Sequence, residues 1–241
     1  MNEQNGFETM LPKNRQEYIL NIVKQEKSAR VSDLAERLFI NEATIRRDLN
    51  TLARAGLVQR IYGGAVYANG LDSEIPLIQR EEKNAAVKKE IAQQACALIE
   101  NGDTIFLDSS STVSFMVPFL RGKEGLKIVT NGAKLLVLLS ALSHASICSI
   151  GGELRENSLS LIGQGAMDAL GNYYFDKAFF SCHACSEEYG LMDNNEEEAR
   201  LRRLLIRRSR QSYLLADQSK FGKPSFYKIC DMDEVSRIIT G

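Results

Sequence analysis

The sequence predicts two folded units of the α/β class: a small helical unit with a β-hairpin, and a larger unit in which helices alternate with strands of a largely parallel sheet. Three observations lead to this prediction. A chain of 241 residues is long enough for two units. Apolar residues recur at helical spacing as far as Leu52. Beyond Val87, short apolar runs alternate with helix-length segments.

The predicted boundaries are 1–69 for the first unit with a short N-terminal extension, 70–79 for a linker, and 80–241 for the second unit. The linker prediction rests on a stretch that lacks periodicity and contains Pro76. A hydrophobic fraction of 44% and a charged fraction of 25% are typical of an ordered globular protein.

Composition also indicates the cellular compartment of the protein. The longest apolar stretches, such as Leu135 to Leu139, are far shorter than the roughly 20 residues of a membrane helix, and no basic-then-apolar signal opens the chain. We therefore expect a cytoplasmic protein without a membrane partner. Five Cys is an odd and scattered set, which favours reduced thiols over a disulfide framework.

Charge is unevenly distributed. From Lys13 to Val66 there are ten basic and six acidic residues, so this segment carries +4 and the rest of the chain −5, within a net charge of −1. A small basic unit on a mildly acidic one is typical of a phosphate-binding head attached to a separate body, although many solvated helical surfaces are equally basic.

The first unit reads as three short helices in which apolar residues recur at helical spacing. A break at 27–30 separates the first two, Ser32 is expected to cap the second, and Asn41 is expected to cap the third. The residues that form the three buried stripes are Ile19, Ile22 and Val23; Leu34, Ala35 and Leu38; and Ile45, Leu49 and Leu52. Two short helices joined by a tight turn form the helix-turn-helix layout.

The outer face of the third helix carries side chains that suit base edges and phosphates in a DNA major groove. Arg46 and Arg47 are the leading candidates, while the plainer interpretation of any isolated Arg pair is an ordinary solvated surface. The full set of candidate contacts on this helix is Asn41, Glu42, Thr44, Arg46, Arg47 and Asn50.

A β-hairpin is predicted after the third helix, with strands at 57–62 and 65–67 joined by Gly63 and Gly64. A hairpin behind three helices is a winged helix. Arg60, Gly63 and Gly64 are candidates for contacts with the DNA backbone. Alternatively, the hairpin only covers the three-helix core.

In the second unit, six apolar runs read as strands, and the segments between them read as helices. The predicted strands are 104–107, 127–130, 147–150, 178–180, 213–216 and 237–239. Predicted helices include 87–99, 112–120, 134–142 and 196–210. In such sheets, ligands bind beyond the carboxyl ends of the strands.

The residues that follow these strands are small and polar and suit a phosphate. They are Asp108, Ser109, Ser110, Ser111 and Thr112; Thr130 and Asn131; Gly151 and Gly152; and the segment 217–222 with Lys220. Each group alone is typical of ordinary turns. Together they predict an anion site built from backbone N–H groups, hydroxyls and a Lys.

These residues also carry a family resemblance. The head motif Thr44-Ile45-Arg46-Arg47-Asp48-Leu49 with Tyr62-Gly63-Gly64-Ala65-Val66 is similar to the DNA-binding head of the DeoR family of bacterial sugar-metabolism regulators. In the body, 102–108, 129–131, 151–152, 175–179, 196–199, and 215–217 with 219–222 resemble the sensor domain of that family. The resemblance implies an α/β sensor of the ribose-phosphate-isomerase-like or CoA-transferase-like type that binds a phosphorylated sugar.

By this resemblance, the pocket would be lined by Asp108, Ser109, Ser111, Thr112, Asn131, Gly152, Asp176, Lys177 and Lys220. A similarity to the fucose- or rhamnose-type subgroup implies a ketose 1-phosphate effector, such as a deoxyhexulose 1-phosphate. This sequence departs from the family where Phe39 and Ser110 stand in place of Gly, and where 181–186 replaces a Gly-rich stretch. Phe39 would be costly at positive φ, so we expect strain or another conformation in that turn.

The resulting prediction is a sequence-specific transcriptional regulator, by family default a repressor of a carbohydrate catabolic operon. Its partners would be operator DNA and a phosphorylated sugar, and it would be a homo-oligomer, dimer or tetramer, because paired heads read paired half-sites. We predict no catalytic residue, cofactor or metal.

The sequence also admits three alternatives. Cys182 and Cys185 with His183 invite a metal site, but a zinc site needs four ligands and the sequence offers no second Cys pair nearby. A sugar-phosphate isomerase would need a tuned general base, but acidic residues also favour a helix N-terminus. The candidate groups are Glu196, Glu197 and Glu198 together with Asp108, Asp176 and Lys220. A DNA-binding architectural protein would bind DNA identically with and without a sugar phosphate.

Overall fold

The computed structural model describes residues 11–26, 28–55, 57–61, 63–67, 75–222 and 225–241. The chain divides into two compact units, Met1–Pro76, here called the head, and Leu77–Gly241, called the body. Within the described ranges, no helix is both long and apolar enough to cross a membrane. The predicted N-terminal extension, residues 70–74 of the predicted linker, and Tyr62 of the head motif lie outside the described residues. The linker prediction is wrong for 77–79, which are helical.

The head contains three helices and a three-stranded antiparallel sheet of order β1-β3-β2. In chain order the elements are α1 (Pro12–Glu26), β1 (Ser28–Arg30), α2 (Val31–Leu38), α3 (Glu42–Arg54), β2 (Val58–Ile61) and β3 (Gly64–Tyr67). The predicted helices and hairpin are present. The predicted break before α2 is instead the strand β1, which pairs with β3 and widens the wing.

The head core confirms the helical spacing. Ile19, Leu34, Ile45 and Leu49 are fully buried and pack into one cluster with residues of the wing. Burial of these apolar side chains is the main force that holds three helices this short together.

Both ends of α2 differ from simple capping rules. Ser32 does not cap the helix, because α2 begins at Val31 with Arg30 in the cap position, and the Ser32 hydroxyl donates to the Asp33 carboxylate at 2.9 Å. At the other end, Phe39 adopts φ 51° and ψ 38° with 52% of its surface exposed. The turn therefore keeps the left-handed geometry that favours Gly, with an aromatic residue in it.

The body is built on a six-stranded sheet of order β14-β12-β9-β4-β5-β6, in which all neighbours are parallel. The body strands are β4 (Thr104–Leu107), β5 (Leu126–Thr130), β6 (Ala145–Ser149), β7 (Glu153–Arg155), β8 (Ser160–Ile162), β9 (Phe175–Phe180), β10 (Ala184–Ser186), β11 (Gly190–Asp193), β12 (Ser209–Leu215), β13 (Tyr227–Cys230) and β14 (Arg237–Ile239). All six predicted strands belong to this sheet, so the α/β prediction is confirmed.

Helices cover both faces of the sheet. They are α4 (Leu77–Glu82), α5 (Ala85–Ala97), α6 (Ser111–Ser114), α7 (Ala133–Leu139), α8 (Gln164–Gly171) and α9 (Glu196–Arg207), with 3-10 turns at Val117–Leu120, Gln218–Lys220 and Met232–Glu234. Along β4, Ile105 and Leu107 pack with α5 on one face, and Phe106 packs with α8 and α9 on the other. This alternation gives the strand two buried faces, as expected of a parallel sheet.

Two smaller antiparallel sheets were not predicted. One pairs β7 with β8, and the other has the order β10-β11-β13. Their strands are all only three or four residues long. Such strands are too short to show a hydrophobic period, and their pairing depends on distant parts of the chain.

Candidate functional site

The outer face of α3 is open to solvent. Glu42, Arg46, Arg47 and Asn50 are exposed, and we call these four residues the α3 face; Thr44 beside them is half-buried. Ile45 and Leu49 on the opposite side are fully buried. The predicted DNA-contacting residues of α3 are therefore accessible.

Two local interactions shape this surface. The Asn41 side chain accepts a hydrogen bond from the Thr44 backbone N–H at 2.8 Å, which confirms its predicted capping role. Arg46 donates to Glu42 one turn earlier at 2.7 Å. Because this ion pair is exposed and contributes little stability, Arg46 can exchange Glu42 for a phosphate or a base at low cost.

A buried carboxylate fixes which side of α3 faces outward. Asp48 is 2% exposed, and its Oδ1 accepts hydrogen bonds from Arg15 Nη2 at 3.2 Å and Gln16 Nε2 at 3.1 Å. Both donors lie on α1. The ion pair therefore sets the rotation of α3 about its axis, a role that the sequence motif did not reveal.

The wing residues divide between surface and scaffold. Gly63 is exposed at the tip with φ 74° and open space around its Cα. Gly64 is buried, and a Cβ there would lie 2.4 Å from the Ala29 carbonyl oxygen. The expectation of a DNA contact is thus corrected for Gly64, because close packing against β1 requires its lack of a side chain. Arg60 is half-buried, and its buried Nη1 has no hydrogen-bond partner among the described residues.

In the body, several of the predicted polar residues meet at the carboxyl edge of the six-stranded sheet. Asn131, after β5, accepts a hydrogen bond from the Ser109 backbone N–H at 3.1 Å, and so joins the two loops that leave the central strands. Ser110 caps α6 by accepting from Val113 N–H at 3.4 Å. Ser109, Ser110, Ser111, Thr112 and Asn131 are all buried.

Ser109 is the unsatisfied member of this group. The residue is 5% exposed, and its buried Oγ has no hydrogen-bond partner among the described residues. A buried hydroxyl without a partner costs roughly 1–3 kcal/mol. A ligand that supplies an acceptor would remove that cost.

Lys88 is a functional candidate that the sequence analysis missed. It is 4% exposed on α5, and its ammonium donates to Ser111 Oγ at 3.1 Å and to the Arg80 backbone carbonyl. Burial and the nearby Lys220 and Arg80 lower the pKa of Lys88 to about 8, although Asp217 and Glu81 oppose the shift. The signal was present, because Lys88 shares the buried helical stripe of Ile91, Ala92 and Ala95.

Lys220 approaches the same edge from the turn after β12. Asp217 caps this turn by accepting from Ser219 N–H at 2.9 Å, and Asn84 at the start of α5 donates to Asp217 at 3.3 Å. Burial lowers the pKa of Lys220, Arg80 adds to the effect, and Cys182 and Asp217 oppose it. We call Lys88, Ser109, Ser111, Asn131 and Lys220 the sheet-edge site.

Asp176 and Lys177 do not belong to this site, which corrects the expectation taken from the family resemblance. They begin β9, and Asp176 accepts from Thr104 N–H at 2.9 Å while Lys177 pairs with Asp103 at 2.7 Å. Thr104 begins β4, so these contacts lie at the amino edge of the parallel sheet. Because a strand advances about 3.3 Å per residue, most of the length of β9 separates Asp176 and Lys177 from the carboxyl edge of the sheet.

Three further predicted residues serve the loop structure. The hydroxyl of the fully buried Thr130 accepts from Gly132 N–H at 2.9 Å. Gly151 donates to Ser149 Oγ at 3.0 Å. At Gly152, where φ is 112°, a Cβ would lie 2.4 Å from the Ile162 carbonyl oxygen. Glycine is thus required for the close approach of this turn to β8.

Asp108 is held in a buried ion cluster that the sequence analysis also missed. Arg202 on α9 contacts Asp108 at 3.0 Å and Glu198 at 3.0 Å, and it also pairs with Asp193. Glu198 further accepts from Ser160 Oγ at 2.7 Å and pairs with Arg155 at 3.3 Å. The cluster ties the end of β4 to α9, β8 and β11.

The ionisation of Glu198 bears on the enzyme alternative. Burial alone would raise its pKa, but Arg202, Arg155 and hydrogen bonds from Ser158 and Ser160 lower the pKa to about 2. A carboxylate held this firmly in the charged form is a poor general base near neutral pH. Glu196 and Glu197 are exposed in the first turn of α9.

The segment 181–186 places the thiols of Cys182 and Cys185 near Lys220. All five cysteines are free, and Cys182 and Cys185 are buried. A hydrogen bond with Cys185 and burial raise the pKa of Cys182. Among the described residues, no group of His, Cys, Asp and Glu is arranged to hold a metal ion.

Comparison with known families identifies both units. Residues 15–70 match the model of the DeoR-like helix-turn-helix domain, and residues 83–241 match that of the DeoR C-terminal sensor domain.

Whole-length relatives agree. The HTH-type transcriptional regulator YulB of Bacillus subtilis is 40% identical over 231 residues, which cover 96% of this chain and 89% of that protein. The glycerol-3-phosphate regulon repressor of Haemophilus influenzae is 30% identical, with 94% and 88% covered. The lactose phosphotransferase system repressor of Streptococcus mutans is 31% identical, with 96% and 92% covered. These relatives are named as regulators and not as enzymes, in agreement with the prediction for this chain.

Solved structures support the fold alone. The eIF2B beta protein of Chaetomium thermophilum aligns over 98% of this chain and 88% of its own, with a TM-score of 0.50 and 15% identity. Ribose 5-phosphate isomerase A of Methanocaldococcus jannaschii aligns over 58% of this chain and 55% of its own, with a TM-score of 0.43 and 16% identity.

The comparisons do not single out a fucose or rhamnose subgroup, since the relatives include repressors named for other systems. They do agree on the family for both units and for the whole length of the chain. The chain therefore belongs to the DeoR family, and it is a DNA-binding transcriptional regulator with an N-terminal helix-turn-helix domain and a C-terminal sensor domain.

Proposed function

We propose that this protein is a repressor of a carbohydrate catabolic operon, and that a phosphorylated sugar bound at the sheet-edge site controls its affinity for operator DNA. The observation that carries the proposal is the buried hydroxyl of Ser109, which has no hydrogen-bond partner among the residues that the structure describes. On the same loop, the Ser111 hydroxyl accepts a hydrogen bond from the Lys88 ammonium.

The electrostatics of the site favour an anion. Lys88 and Lys220 both have lowered pKa values, mainly through burial and with a further contribution from Arg80. A buried cation without enough counter-charge destabilises the free protein, and a phosphate would supply that charge. A phosphate oxygen would also accept a hydrogen bond from Ser109 Oγ.

Two relatives support a phosphorylated ligand by their names, which refer to glycerol-3-phosphate and to a phosphotransferase system. The narrower proposal of a ketose 1-phosphate, such as a deoxyhexulose 1-phosphate, rests on the sequence resemblance alone. A deoxyhexulose 1-phosphate is therefore one of the compounds to be tested.

On the DNA side, we propose that Arg46, Arg47 and Asn50 contact the major groove and that Gly63 and Arg60 approach the phosphate backbone. Support comes from the exposure of these α3 residues and from Arg60 Nη1, which has no hydrogen-bond partner in the described part of the head. Because helix-turn-helix heads read paired half-sites, we further propose a homo-oligomer, dimer or tetramer, to be measured by light scattering on the full chain.

An isomerase-type activity is the second candidate. It is disfavoured by the ion cluster, in which Glu198 stays ionised and Asp108 is bound to Arg202.

The experiment uses the full chain and an operator selected from random DNA by the protein itself. Operator affinity is measured by fluorescence polarisation with and without ketohexose 1-phosphates, ketohexose 6-phosphates, deoxyhexulose 1-phosphates and glycerol 3-phosphate. At least one is expected to weaken operator binding through linkage between the two sites. No response to any of them at millimolar concentration would overturn the proposal.

A matched pair of variants locates the site. Lys88→Met should weaken binding of the active sugar phosphate by at least about tenfold, because a charge-assisted hydrogen bond is lost. Lys89→Met removes the same charge from the exposed neighbour and should leave that affinity unchanged. Equal affinities for the two variants would place the ligand elsewhere.

A further inference from the structure

Helix α4 is the first element of the body, and it begins directly after the segment that leads from the head. Three of its residues, Leu77, Arg80 and Glu81, make contacts with loops and helices around the carboxyl edge of the sheet. At its start, Leu77 N–H donates to the Asn157 carbonyl in the turn between β7 and β8 at 2.8 Å.

Lys88 links α4 to the phosphate-binding loop. Its ammonium donates both to the backbone carbonyl of Arg80 on α4 and to Ser111 Oγ, the latter at 3.1 Å. A Lys ammonium has three donors. Two are used in these contacts, so one remains for a ligand oxygen.

Glu81 links α4 to the helices that follow β4 and β5. One carboxylate oxygen accepts a hydrogen bond from Ser114 Oγ on α6 at 3.3 Å, and the other pairs with Lys134 on α7. The adjacent Glu82 is exposed. One side of α4 is therefore tied to the loops of the sheet-edge site.

The Arg80 side chain adds positive charge at the same place. It lies close enough to Lys88 and to Lys220 to lower the pKa of both ammonium groups. Three cations from α4, α5 and the turn after β12 thus lie near one another, and Lys88 among them contacts Ser111 at 3.1 Å. An anion bound at Lys88 would be attracted by all three.

We propose that Arg80 is a further ligand of the effector phosphate, and that α4, held by Arg80, Lys88 and Glu81, transmits effector binding to the segment that leads to the head. This inference rests on the proposed function, since it needs a phosphorylated effector at the sheet-edge site. A phosphate bound by Arg80 and Lys88 joins α4 to the loop more firmly than Lys88 does alone. Effector binding would thereby change how firmly α4, the first element after the head, is anchored to the loops of the sheet-edge site.

The ligand role is tested by calorimetry with the sugar phosphate active on the wild type, or with inorganic phosphate as the probe. Arg80→Met should weaken binding by about tenfold or more, and Arg80→Lys, which keeps the charge without the bidentate fork, by less. Both variants should show the wild-type far-UV circular dichroism spectrum. Wild-type affinity in Arg80→Met would overturn the ligand role, and a misfolded Met variant would leave Arg80→Lys to decide between weakened and unchanged binding.

The transmission role is tested at saturating effector, where changes in effector affinity no longer matter. Glu81→Gln should reduce the effector-induced change in operator affinity by about fivefold or more, because the coupling free energy depends on the anchoring of α4. Glu82→Gln serves as the matched control and should behave as wild type. In hydrogen exchange, effector should slow the amides of 77–82 in wild type but much less in Glu81→Gln.

The outcomes separate this inference from the proposed function. A wild-type protein that binds no phosphorylated ligand contradicts the proposed function itself. A wild-type protein that responds to effector, with Arg80→Met and Glu81→Gln both responding equally well, contradicts only the role of α4.

Discussion

The α3 face and the sheet-edge site use charge in opposite ways. On α3, Arg46 and Arg47 are exposed and remain hydrated, so they add little cost to folding. In the body, the Lys88 ammonium is buried, and the buried Ser109 hydroxyl has no hydrogen-bond partner in the described part of the chain; both features cost stability. The difference teaches that the proposed DNA-binding surface is accessible without its ligand, whereas the proposed effector site would gain its missing partners from one.

Each of the two surfaces is positioned by buried ionic contacts. In the head, Asp48 is held by Arg15 and Gln16 of α1. In the body, a single Arg202 holds the carboxylates of Asp108, Asp193 and Glu198. The body therefore depends more strongly on one residue than the head does.

Removal of that residue should have the largest effect. Arg202→Met leaves three carboxylates buried without their shared counter-charge, and we expect a loss of about 3–5 kcal/mol in the free energy of unfolding. Urea denaturation followed by circular dichroism measures it, with Arg200→Met on the exposed side of α9 as the control. A loss no larger than that of the control would show that the cluster does not support the body.

The α3 face should respond in binding and not in stability. Arg46→Ala or Arg47→Ala is expected to weaken operator binding by about 1–3 kcal/mol, which is roughly 5-fold to 150-fold, while sugar-phosphate affinity stays unchanged. Fluorescence polarisation measures both variants against Lys24→Ala, which removes an exposed charge from α1. Wild-type operator affinity in both Arg variants would place the recognition surface elsewhere.

The sheet-edge site should depend on pH in a window where the α3 face does not. Lys88 is charged below its pKa of about 8 and loses its proton above it. The charged groups that act on it are Lys220, Arg80, Asp217 and Glu81. The phosphate is already a dianion above about pH 6. Sugar-phosphate affinity should therefore fall by up to about tenfold between pH 7 and pH 9.

Calorimetry in buffers of different ionisation enthalpy should also detect proton uptake on binding at pH 8, because the bound phosphate favours charged Lys88. Lys88→Met should remove both effects, with Lys89→Met as the matched control. A flat pH profile in the wild type would contradict the assignment of Lys88 as a ligand.

The smallest effect is expected at the turn of the helix-turn-helix. Phe39 occupies the left-handed region with φ 51° and is largely exposed, so Phe39→Gly should stabilise the protein by about 1 kcal/mol through relief of backbone strain. Phe39→Ala keeps the Cβ in the strained geometry and should show little gain. Equal stability of the two variants in urea denaturation would rule out strain as the cause.

Sequence reasoning succeeded where one short segment carries the whole signal. The cap at Asn41, the buried stripe of α3 and the polar residues after β4 were each visible in local spacing. The sequence analysis was wrong for Asp176 and Lys177, whose pocket-lining role was taken from the family resemblance. The predicted strand 178–180 already placed both residues before its start, at the opposite end from the pocket. Lys88 was missed because a helical stripe was read only for its apolar members.

By itself, the sequence determined the order of helices and strands, because hydrophobic periodicity and turn residues act over a few neighbouring positions. It also determined that polar loops would meet at one edge, because parallel strands place their carboxyl ends together. Only the tertiary structure decided which charges are paired. Arg202 meets Asp108 across 94 residues of chain, and Lys88 meets Ser111 across 23, since a buried charge selects partners by distance in space and not along the sequence.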